Sequence, residues 1–181
     1  MSKAKISFET SIKDAEELLA HFDALPKPPP QSADVLKRAG LVMALTAWET
    51  YVEDRILEEV TTRLRVVNGS YVGTFVLKRL EDELKRFHNP TSEKVRKLFL
   101  DFLEVDVTAC WEWSNFDSAK ARKNLDDLIS KRGDAVHRSK PVIAGASSAP
   151  HLVKRDDLDK AIRFLKALVD ATDSRLNQAL E

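Results

Sequence analysis

Apolar residues recur along most of this chain at every third or fourth position, the spacing of one helix face, and stretches that alternate at every second position are few. Phe8, Ile12, Ala15, Leu18, Leu19 and Phe22 form the first such stripe. A helix is therefore predicted over about residues 7–25, stopped by Pro26-Lys-Pro-Pro-Pro30. Ser32 can cap a second helix running to about Val67, with Leu41, Leu45, Trp48, Val52, Ile56, Val60 and Val67 on its apolar side. That length predicts a central place in a bundle, with a bend at Gly40. Asn68-Gly69 ends it, and a third helix is predicted over 74–87. His88-Asn89-Pro90 then makes a turn before a fourth helix from Thr91 or Ser92. Residues 104–116 read as loop with some helix. A fifth helix starts near Asp117 and a sixth covers 155–180. Between them, 139–153 is predicted to be a flexible loop, because Pro141, Gly145, Ser147, Ser148 and Pro150 supply little surface to bury.

Composition narrows this to one all-α domain over residues 1–181, a bundle of about five to six helices around a long second helix. Five glycines are few for a sheet protein, and 43% hydrophobic residues suffice for a sizeable core. The 29 basic and 29 acidic residues cancel, so any nucleic-acid binding must come from a local patch. One cysteine, Cys110, excludes an internal disulfide and a thiolate cluster. Neither the N-terminal Met-Ser-Lys-Ala-Lys-Ile-Ser-Phe nor the apolar run from Leu41 to Trp48 has the length of a signal or a membrane span. The expectation is a cytoplasmic protein with no membrane partner.

The candidate chemistry lies where the fifth helix turns basic, in Lys131-Arg-Gly-Asp-Ala-Val-His-Arg138. Arg132 supplies a permanent guanidinium suited to phosphate, and His137 an imidazole of the kind that exchanges a proton near neutral pH. Arg132 follows Leu125 by two turns, which puts it on the apolar side with Leu128 and Ile129. A guanidinium there needs a carboxylate. Glu49 is the best one, because it too falls on the apolar side of its helix, four residues after Leu45 and three before Val52. Within one regular helix His137 is rotated by roughly 140° from Arg132. Their convergence needs either a turn loosened at Gly133 or a second subunit that brings its own pair to the same cleft.

A helical bundle with Ala47-Trp48-Glu49-Thr50-Tyr51 on a long early helix and Arg132, four intervening residues and His137 late in the chain resembles the HEPN superfamily, in its RiboL-PSP-HEPN branch. The resemblance implies a metal-independent endoribonuclease without cofactor, acting as a toxin or antiviral effector, with Arg132 and His137 of two copies sharing a cleft at a homodimer interface. RNA is then the substrate, and an antitoxin or sensor protein a further partner. Members commonly place a polar residue, often asparagine, directly after the arginine. Here Gly133 and then Asp134 follow. Beside this implied pair, Glu49 and Asp134 are supporting residues, and Lys131, Arg138 and Lys140 are candidates to hold flanking phosphates. The alternative reading is a catalytically inactive HEPN-like interaction or regulatory module.

Other conspicuous residues have plainer readings. His88 reads as a helix-ending turn residue and His151 as a loop residue, neither with metal-ligand company. Trp111, Trp113 and Phe116 can stack on bases but fit packing better. Cys110 reads as a buried thiol rather than a nucleophile.

Overall fold

The computed structural model describes residues 1–137 and 153–178, with side chains described except at 135–137. Six α-helices make up the described residues, with no strand among them. They are α1 (Lys3–Asp23), α2 (Asp34–Arg63), α3 (Tyr71–Leu84), α4 (Ser92–Leu103), α5 (Ser118–His137) and α6 (Arg155–Gln178). Short 3-10 turns at Gln31–Ala33, Leu64–Val67 and Val107–Cys110 join or extend them. The predicted all-α bundle with a long second helix is what forms.

Local chemistry explains where the helices start. Ser2 caps α1 by accepting a hydrogen bond from the Lys5 amide, four residues before the expected start. Ser70 does the same for α3 through the Gly73 amide, which moves that helix three residues toward the N-terminus. Ser32, by contrast, does not cap α2. It lies inside the 3-10 turn Gln31–Ala33, whose last residue is already helical (φ −69°, ψ −13°), so no extended residue precedes α2 and no side chain caps it. Thr91 caps α4 and the Asp117 carboxylate accepts from the Lys120 amide at the start of α5.

The core explains the central position of α2. Leu41, Leu45, Trp48, Val52, Ile56 and Val60 are all buried, as the periodicity required, and α2 packs on α1, α6, α5 and α4. Helices α1 and α2 run antiparallel: the amides of Lys3 and Ala4 donate to Glu58, while Ala15 lies beside Gly40. At Gly40 the helix continues, and the residue serves close packing. A Cβ there would come within 2.7 Å of a Leu158 methyl on α6. Trp111, fully buried, meets Trp48 edge-on at 6.1 Å and donates its indole N–H to Thr172 Oγ1 at 2.9 Å. Trp113 and Phe116 pack with Phe164 at 5.6 and 5.2 Å, so the aromatic cluster is packing, and truncating one such buried ring costs about 3–5 kcal/mol.

No helix among the described residues is long and apolar enough to cross a membrane. Of the predicted loop 139–153, residues 139–152, including His151, lie outside the described residues, and Val153 is buried against the core.

Candidate active site

Arg132 and Glu49 meet as their two apolar stripes require. Arg132 lies one turn beyond the buried Leu125, Leu128 and Ile129, three residues after the last of them and at the rim of the core, and its side chain is 21% exposed. Glu49, beside fully buried Trp48, is 15% exposed. The guanidinium NH1 donates to Glu49 Oε2 at 2.7 Å, joining α5 to α2. A charge-assisted hydrogen bond of this length fixes the arginine while leaving its other donors for a further anion.

Glu49 has a second cationic neighbour. His88 Nδ1 lies 3.8 Å from Glu49 Oε1, and the ring is 75% exposed. One turn further along α2, burial holds the Glu53 carboxyl above its ordinary value; the charges of Glu49 and Asp54 push the same way, and His88 draws it back. Sequence periodicity had no means of finding His88, because it reaches Glu49 through the path of the α3–α4 connection.

The remaining candidates separate. Lys131 is half-exposed, with Nζ 4.0 Å from Asp157 in the first turn of α6. Asp134 is partly buried on α5. His137 closes α5, which stays α-helical through Gly133. The turn at Gly133 is therefore not loosened, and the backbones of Arg132 and His137 keep the regular offset of roughly 140° around the helix. Gly133 has open space about it: an added Cβ would meet nothing within 4 Å. Arg138 and Lys140 lie outside the described residues. Two shallow surface depressions, one between Phe22 and Arg155 and one between Phe75 and Phe102, are lined by neither Arg132 nor Glu49. Cys110 is half-buried, its thiol pushed up by burial and donating to the Val107 carbonyl, which suits a packing residue.

The all-helical bundle, with a carboxylate of its long second helix paired to an arginine late in the fifth, agrees with the HEPN resemblance of the sequence. The chain belongs to the RiboL-PSP-HEPN family, whose model matches residues 9–178. That membership points to a ribonuclease or nucleotide-related role. No curated protein and no solved structure matches the chain.

Proposed function

We propose that this protein is a metal-independent endoribonuclease, a toxin or antiviral defence effector of the cytoplasm, whose cleft forms where two copies pair. The observation that carries this reading is Arg132: a guanidinium at the edge of the core, gripped among the described residues through NH1 by Glu49 and still one-fifth exposed. Such a group is fixed in place yet open to a phosphate. In the reaction the ribose 2′-oxygen bonds to the adjacent phosphorus and the P–O5′ bond breaks, leaving a 2′,3′-cyclic phosphate and a 5′-hydroxyl. His137 takes the 2′-hydroxyl proton or gives one to the departing O5′, a role worth about 10²–10⁴ in rate. Arg132 neutralises charge gathering on the phosphorane oxygens. DNA, lacking the 2′-hydroxyl, is spared.

The uninterrupted α5 supports the shared cleft, since the backbone positions of residues 132 and 137 lie roughly 140° apart around a regular helix. A second copy related by a two-fold axis supplies the missing half. An antitoxin or sensor protein fits as the restraint on such a nuclease. The test is purified protein with mixed RNA in a chelator: cleavage by wild type and none by His137→Ala is expected. Equal cleavage by the variant overturns the assignment, and a strictly monomeric protein that cleaves overturns the shared cleft.

A second reading, an inactive interaction module, draws on a different region. Val66, Tyr71, Val72 and Phe75 are between 53% and 91% exposed around the start of α3, an apolar surface suited to a partner protein. Absence of cleavage together with retained dimerisation would favour it.

A further inference from the structure

We propose that His88 is a second substrate-contacting residue of the Arg132 site, its imidazolium receiving an RNA phosphate beside the one that Arg132 holds. The proposal rests on the ribonuclease reading and deepens it. Its starting point is one partly buried carboxylate shared by two more exposed basic groups: Glu49 Oε2 accepts from Arg132 at 2.7 Å, and Oε1 faces His88 Nδ1 at 3.8 Å. A carboxylate lying beneath two such groups orients both toward the same side, where a polyanion can approach.

The turn that carries His88 is tied down on both sides. Phe87 is buried in the core, and the Trp48 indole, one residue before Glu49, donates to the Pro90 carbonyl at 3.4 Å. Asp126 of α5, less than two turns before Arg132, accepts from the Ser92 amide at 2.7 Å and from its hydroxyl at 2.8 Å. The same two helices that hold Glu49 and Arg132 therefore also hold the turn bearing His88. An exposed histidine that merely ended a helix would need no such attachment. The charged groups facing it are Glu49 and Glu53 from α2, Lys94 of α4 on its carbonyl oxygen, and Arg132 of α5 across Glu49. The ring is 75% exposed, so a ligand can reach it from the outer side while Glu49 lies on the inner side.

An imidazolium attracts a phosphate and a neutral imidazole does not, so pH is the variable that exposes the contact. The test measures binding of a 2′-O-methyl RNA oligonucleotide, which cannot be cleaved, by wild type and His88→Gln across salt concentrations at pH 5.5 and pH 8.5. At pH 5.5 the variant is expected to bind on the order of five- to tenfold more weakly, with the slope of log affinity against log salt reduced by about 0.7, the share of one single-strand phosphate contact. At pH 8.5 the two proteins should coincide. Equal slopes at pH 5.5 overturn the proposal. If wild type itself binds and cleaves no RNA, the ribonuclease reading fails, and this assignment with it. If wild type cleaves and the variant binds with an unchanged slope, only His88 is excluded. Unchanged thermal melting of His88→Gln, expected for a side chain so exposed, keeps the comparison free of folding effects.

Discussion

Two arginines on apolar helix faces, Arg55 and Arg132, answer the same problem differently. Arg55 is 1% exposed and all three of its nitrogens are engaged: Nε donates to Asp173 at 3.0 Å, NH2 to Asn177 at 3.0 Å and NH1 to Glu59. Ser2 adds its hydroxyl to Asp173, so the network ties α1, α2 and α6 together. Arg132 is a fifth exposed and held through one nitrogen. A guanidinium so buried, with every nitrogen engaged, holds the fold. A guanidinium gripped once at the rim keeps capacity for a ligand, and that contrast separates a structural arginine from a candidate catalytic one.

The contrast can be broken at several points. Arg55→Met strands Asp173 and Glu59, whose Oε2 already has no hydrogen-bond partner among the described residues, and denaturant unfolding should show a loss of about 3–5 kcal/mol. A loss below about 1 kcal/mol would put Arg55 in the same energetic class as an exposed ion pair and end the distinction. Arg132→Met should do the reverse. Its RNA cleavage falls by about 10²–10³, the scale of one lost donor to a transition-state oxyanion. Its unfolding free energy drops by less than that of Arg55→Met, by about 1–3 kcal/mol, because Glu49 loses its partner at a site that water partly reaches. Cleavage at the wild-type rate by that variant would refute the catalytic assignment.

Two smaller effects sharpen the site itself. Gly133→Ala fills open space on a helix and should stabilise the chain by about 0.5–1 kcal/mol, read as a raised melting temperature. Destabilisation instead would mean that something in the assembled protein approaches that backbone closely. Glu53→Gln tests the electrostatic cost of the acidic side. The folded Glu53 carboxyl sits above its ordinary value because of burial, with Glu49 and Asp54 adding to it. A carboxyl raised in this way favours the fold most while protonated, and that contribution is lost as pH rises through the folded value. The variant should therefore be slightly more stable than wild type at neutral pH, by less than about 0.5 kcal/mol, and lose this advantage at acidic pH. A gain that persists unchanged in acid would show that titration of Glu53 is not its source.

The Glu49–Arg132 pair was legible because both residues fall on stripes that helical spacing alone defines. The same signal was present at Arg55, Glu59 and Asp173, which occupy inward positions beside Ile56, Val60 and Thr172. Charge on an apolar stripe marks a pair but does not tell a structural one from a functional one; exposure does, and exposure depends on what packs above. His88 was legible only as a turn residue, because its approach to Glu49 depends on how the α3–α4 connection is bound to Trp48 and Asp126. Helix starts failed where capping depends on conformation rather than residue type. Ser70 and Ser2 precede their helices in extended backbone and cap them, whereas Ser32 lies within a 3-10 turn and does not.

The unbroken run of α5 through Gly133 to His137 also bears on timing. In the proposed dimer each chain carries half of a cleft, so a freshly made chain at low abundance is harmless, and specific activity should fall on dilution as copies separate. On that proposal, activity would rise with the protein's own concentration, and the continuity of one helix would set the threshold.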